Sequence, residues 1–152
     1  MDFEIVTGGQ WPDAVEALLR DLPEWFGIEE ANRAYVEAAR TRPSVAAIHD
    51  GDVVGIALVC NHFPEAAELE LLAVRRKLHR NGIGRRIVQQ VEADARAAGV
   101  RLLQVKTRGP SDYYEPYERT RAFYESIGFL PLEELLDLWP SDPCLVMVKP
   151  LA

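Results

Sequence analysis

The sequence predicts a single mixed α/β domain, with about seven strands and about four helices. Three observations carry that prediction. Short β-branched runs alternate with apolar stripes at helical spacing, proline and glycine punctuate the joins, and 152 residues fit one domain with room for a core. With 48% hydrophobic and 27% charged residues, the chain has the composition of a folded protein, which excludes global disorder. The domain is expected to span residues 1–152, with no repeat and no low-complexity linker.

Phe3 to Val6 reads as a first strand. After Pro12, Val15, Leu18, Leu19 and Leu22 recur at helical spacing and stop before Pro23. A second helix is expected over Glu29–Arg40, ended by Pro43. Ser44–His49 and Val53–Cys60 are strand-like, and the Asp50-Gly51 between them is a hairpin signal. A strand follows over Ala67–Val74. A long helix then starts near Gly82 with Ile83, Ile87, Val88, Val91 and Ala95 as its apolar stripe, and Gly99 suits its C-terminal end. Leu102–Lys106 is a strand and Glu118–Ser126 a helix ended by Gly128. Two strands, from Phe129 and over Cys144–Val148, close the chain.

The net charge of −7 argues against a nucleic-acid partner, because phosphate-backbone binding needs a basic surface. No apolar run reaches the roughly 20 residues of a membrane span, and the acidic start Met1-Asp2-Phe3-Glu4 is unlike a signal peptide, so a cytoplasmic location without a membrane partner is expected. Cys60 and Cys144 are too few and too distant for a disulfide framework or a zinc site, and no metal is expected. They read as small buried hydrophobes.

One segment departs from the acidic background. Arg75, Arg76, Lys77, Arg80, Arg85 and Arg86 fall together with no acid among them, around Gly82-Ile83-Gly84. Strand, basic loop, two glycines and helix make a place for a polyanion. A helix N-terminus presents unpaired N–H groups and a positive dipole end, and glycines let the backbone approach a diphosphate. A P-loop is excluded, since Lys and Ser/Thr do not follow Gly84. The dinucleotide fingerprint is excluded too, since Ile87 stands where the third glycine belongs.

The stretch His79-Arg80-Asn81-Gly82-Ile83-Gly84 resembles the Gln/Arg-x-x-Gly-x-Gly/Ala signature of the GNAT superfamily of N-acetyltransferases, with His79 where Gln or Arg is usual. Arg121-Ala122-Phe123-Tyr124-Glu125-Ser126-Ile127-Gly128-Phe129 resembles its second landmark, a tyrosine-bearing helix ending in Gly-Phe, with Tyr117 where that helix often opens on Asn and Thr120 in place of a common Ala. The element order also matches from about Phe3 to Lys149. The resemblance implies the GNAT fold, a twisted, mixed, mostly antiparallel sheet flanked by helices, and acetyl-CoA as co-substrate. It implies that the diphosphate lies on the 79–84 turn and Arg85, and that Leu72 N–H polarises the acyl carbonyl. Ala73 and Val74 would then hold the pantetheine arm, with Tyr117 at the coenzyme.

Acyl transfer to an amine needs a base, a polarised carbonyl, a proton donor for the thiolate, and alignment. Alternation puts Glu68 and Glu70 on one strand face and Leu69, Leu71 and Ala73 on the other. Either carboxylate can take a proton directly or through a water; the resemblance favours Glu68 and leaves Glu70 open. Tyr124 is the expected general acid, since a phenol with a pKa of about 10 carries a proton and no charge beforehand. Direct transfer without an acyl-enzyme is expected, as neither cysteine has an evident activating base.

By the same resemblance the acceptor site falls in two segments that mix aromatics with acids, one with Glu24, Trp25 and Phe26, the other with Tyr113 and Glu115. That mixture suits a small cationic amine. A protein N-terminus or lysine is the next expectation, and a non-catalytic acyl-CoA-binding sensor is the alternative of a different class. Homodimers are common in the superfamily, with the C-terminal strand segment as a contact.

Overall fold

The computed structural model describes residues 1–151. The elements run β1 (Glu4–Thr7), α1 (Pro12–Asp21), α2 (Glu29–Ala38), β2 (Ser44–His49), β3 (Asp52–Phe63), β4 (Ala66–Val74), α3 (Ile83–Ala97), β5 (Leu102–Arg108), α4 (Glu115–Ser126), β6 (Leu130–Leu135) and β7 (Cys144–Pro150), with a 3-10 turn at Arg76–Leu78 between β4 and α3. This is the expected order. Asp50 and Gly51 take positive φ angles, 52° and 81°, as a tight hairpin demands.

One sheet of order β1-β2-β3-β4-β5-β7-β6 separates two apolar layers. Ile83, Ile87, Val88, Val91 and Ala95 of α3, with Tyr124 of α4 and Phe129, pack on one face. Val15, Leu18 and Leu19 of α1, then Leu22 and Ala39, pack on the other against Ile56, Leu58, Leu71 and Ala73, with Tyr35 and Val36 of α2 at the margin. Cys144 is fully buried as expected, whereas Cys60 is only half-buried.

The helix α3 lies very close to β3. A Cβ on Gly55 would stand 2.9 Å from Ile87 Cδ1 and 3.1 Å from Ile83 Cγ2. Gly55→Val should therefore destabilise the fold by about 1–3 kcal/mol through overpacking, read as a lower urea midpoint at unchanged slope.

The expected alternation along β4 does not hold. Leu69 packs in the α3/α4 layer, whereas Leu71 and Ala73 pack in the α1/α2 layer. The cause is a β-bulge at Glu70. Leu71 pairs with Leu58 and Leu69 with Val59, so one residue of β4 has no opposite number and the facing inverts there.

The second departure from regularity is on the other edge of β4. It pairs in parallel with β5 only from Ala66↔Leu102 to Leu69↔Val105, although β4 continues to Val74 and β5 to Arg108. The strands part at the bulge. From Glu70 onward β4 has no strand partner on that side, and a ligand can supply the missing hydrogen bonds there.

Candidate active site

The turn between β4 and α3 is built to leave backbone groups open. His79 Nε2 lies 2.7 Å from the Val74 carbonyl, closing the end of β4. Asn81 Nδ2 donates to the Leu78 and His79 carbonyls at 3.0 and 3.3 Å. Arg80 and Gly82 on either side are left-handed, with φ of 67° and 78°. Gly82 is the N-cap of α3, and no side chain caps the helix's first N–H groups.

The two glycines serve different ends. Gly82 supplies the left-handed angle and has no atom within 4 Å of where a Cβ would stand, so its surface is open. Gly84 permits close packing, with Phe123 Cζ of α4 3.4 Å from that position. Ile83 is buried in the core as the helix's first anchor. Arg80, Arg85 and Lys77 are exposed and make no ion pair among the described residues. Arg76 is drawn away, to Glu24 and Asp21 of the α1–α2 side.

At the vertex where β4 leaves β5 stand two carboxylates. Glu68 is buried, 8% exposed. Its Oε1 takes His62 Nε2 at 2.8 Å, Lys106 Nζ at 3.2 Å and Gln104 Nε2 at 3.4 Å. Glu70, at the bulge, accepts from Arg42 Nε at 2.8 Å through Oε2. That bond holds the Arg42 guanidinium above its ordinary pKa.

Burial raises the pKa of Tyr35 above the ordinary phenol value, and the Glu70 and Glu68 carboxylates add to the shift. Burial likewise pushes Tyr117 and Tyr124 well above it. Tyr124 is 8% exposed and stacks edge-on to Phe123 and Phe129. Its hydroxyl has no hydrogen-bond partner among the described residues.

The residues expected to hold an acceptor are largely engaged within the chain. The carboxylate of Glu24 pairs with Arg76, which lowers its pKa. Glu115 pairs with Arg119 at 3.1 Å. Trp25 Nε1 donates to the Pro116 carbonyl and to Thr120 Oγ1, each at 3.1 Å, and the indole meets His79 edge-on. Arg76 and Arg119 stand over the same ring. Tyr117 donates its hydroxyl to the Trp25 carbonyl at 2.7 Å, and Tyr114 donates to that of Glu24 at 2.8 Å. Trp25 thus ties the α1–α2 loop to α4 and to the β4–α3 turn. Phe26 packs on Tyr35, and Tyr113 is 71% exposed.

Arg42, His62 and Lys106 bond to the carboxylates without having been singled out in the sequence. For Lys106 a signal existed: Gln104 and Lys106 alternate with the apolar Leu103 and Val105, so they share the polar face of β5. His62 lies beyond the expected end of β3, and Arg42 reaches Glu70 from 28 residues away in the chain.

Residues 11–129 match the model of the acetyltransferase (GNAT) family. Among solved structures, a putative GNAT acetyltransferase from Desulfovibrio desulfuricans superposes with a TM-score of 0.86 at 22% identity, over 99% of this chain and 100% of the other. An aminoglycoside 6'-acetyltransferase type Ii gives 0.76 at 25%, over 98% and 97%. A GNAT acetyltransferase from Elizabethkingia anophelis with acetyl-CoA bound gives 0.73 at 15%, over 97% of each chain. No curated protein sequence matches significantly. The chain belongs to the GNAT acetyltransferase family and is an N-acetyltransferase. None of the described helices is long and apolar enough to cross a membrane.

Proposed function

We propose that the protein transfers the acetyl group of acetyl-CoA to a small cationic amine. The observation that carries this reading is the parting of β4 from β5 at Leu69↔Val105, with an uncapped helix N-terminus at one end and two carboxylates at the vertex. Coenzyme A fits these features. Its pantetheine amides match the backbone of Leu72 and the Val74 N–H on the open edge of β4, and its diphosphate matches the open N–H groups at Gly82 and the exposed Arg80 and Arg85. The bound coenzyme would supply a thioester, whose carbonyl carbon an amine can attack.

The chain's own residues supply the rest. Glu68, through the oxygen left free of donors, takes the proton of the incoming ammonium directly or through a water. Glu70 is paired with Arg42 and leaves the proton transfer to Glu68. The Leu72 N–H polarises the acyl carbonyl. Tyr124 directs its unpartnered hydroxyl at the departing sulfur. Burial holds that proton firmly, so Tyr124 acts first as a hydrogen-bond donor and completes the transfer once the C–S bond has broken.

A thiol-release assay with acetyl-CoA against a panel of small amines, N-terminal peptides and lysine peptides tests the reading. The expected outcome is turnover with one or more small cationic amines. Turnover with peptides alone would shift the acceptor to protein. Coenzyme binding with no turnover over the whole panel would favour an acyl-CoA sensor.

A further inference from the structure

The surroundings of Glu68 single out one side chain. A buried carboxylate is costly unless it is paired and hydrogen-bonded. Here the three donors all converge on Oε1 and leave Oε2 with no hydrogen bond among the described residues. They come from the strands on either side: His62 from β3, Gln104 and Lys106 from β5. Gln104 stands directly opposite Glu68 in the ladder. Lys106 does not. It lies one residue past the last paired rung, Leu69↔Val105, and reaches back across the vertex to Glu68.

From that contact we infer that Lys106 is a positioning residue for the reaction: its ammonium fixes the Glu68 carboxylate so that Oε2 faces the acceptor amine. The inference rests on the reading of Glu68 as the base. Lys106 is distinguished from its fellow donors by place and charge. Gln104 is neutral, and His62, although its Nε2 lies 2.8 Å from Oε1, carries a charge only when protonated and is 39% exposed in its side chain, against 31% for Lys106 and 10% for Glu68. Tyr35 of α2 and Arg42 also act on Glu68 or feel its charge, as does Cys144 of β7. None of these bonds to it. Cys60 lies opposite Glu68 on β3 and Glu70 two residues along β4, and they make no hydrogen bond with it either. Lys106 therefore does two things at one point. It bridges β4 and β5 where their pairing ends, and it selects which carboxylate oxygen stays available.

A double-mutant cycle separates this from a merely structural role. Lys106→Met should lower kcat tenfold or more while the Kd for acetyl-CoA, measured by calorimetry, stays within about twofold. Glu68→Gln should be slow, and adding Lys106→Met to it should slow it no further. Lys106→Gln, which keeps a neutral donor, should fall between Lys106→Met and the unchanged protein. If Glu68→Gln retains full kcat, the base assignment itself fails. If Glu68→Gln is slow but Lys106→Met keeps kcat within twofold, or its loss adds in full to that of Glu68→Gln, the assignment of Lys106 is overturned while the base stands. Loss of coenzyme binding in both Lys106→Met and Lys106→Gln would make Lys106 a folding residue and overturn the inference as well.

Discussion

Replacing Glu68 with glutamine is expected to lower kcat by about a hundredfold or more, the usual contribution of a positioned general base. Glutamine keeps the shape and one hydrogen-bonding oxygen, so His62, Gln104 and Lys106 can still gather around it, and the loss reports the proton acceptor. Glu70→Gln should cost less than tenfold. Its carboxylate is committed to Arg42 at 2.8 Å and is more exposed than that of Glu68, 24% against 10% for the side chains. Steady-state thiol release with the best amine measures both. The Glu68→Gln deficit should also narrow as the pH rises toward the pKa of the acceptor, because the amine then arrives already deprotonated. Equal losses in the two variants, or a larger one at Glu70, would move the base to the bulge.

The second large effect concerns the leaving group. Tyr124→Phe should reduce turnover by about ten- to a hundredfold and leave the acetyl-CoA Kd almost unchanged. The hydroxyl has no hydrogen-bond partner among the described residues, so its removal breaks none of their hydrogen bonds, and the ring contacts to Phe123 and Phe129 survive in phenylalanine. A loss of coenzyme affinity equal to the loss of kcat would mean that Tyr124 binds the donor. Unchanged turnover would remove it from the reaction.

What the sequence made legible was local. The apolar stripe Ile83–Ala95, the Asp50-Gly51 hairpin and the glycine turn at 82–84 follow from period, turn chemistry and composition, and the structure reproduces them. Boundaries slipped where a local rule was read too strictly. Helix α4 begins at Glu115, three residues early, because Pro116 is accommodated in a first helical turn. Strand β3 runs on to Phe63, which carries His62 to Glu68.

The features that make the site were not legible, because they belong to pairs of strands rather than to either alone. The bulge at Glu70 exists only in the register of β4 against β3, so simple alternation placed Leu71 and Ala73 with Leu69. The parting of β4 from β5 is likewise a property of a parallel pair separated by a whole helix. The Glu24–Arg76 ion pair was hidden because it joins distant segments, whereas Glu115 and Arg119 are an i,i+4 pair on α4. Glu24 and Glu115 read as acids awaiting a cationic ligand, yet Arg76 and Arg119 already neutralise them. The aromatic cluster around Trp25 serves to bind the α1–α2 loop to α4.

The central claim is that the unpaired half of β4 and the start of α3 receive the donor. The most direct measurement is amide hydrogen exchange by NMR with and without coenzyme A. Protection should rise at Leu72 and Val74, whose N–H groups face the open edge, and at Gly82, Ile83 and Gly84, while β2 and β6 stay as they were. Binding that leaves those amides unchanged, or protects a different edge of the sheet, would contradict the account.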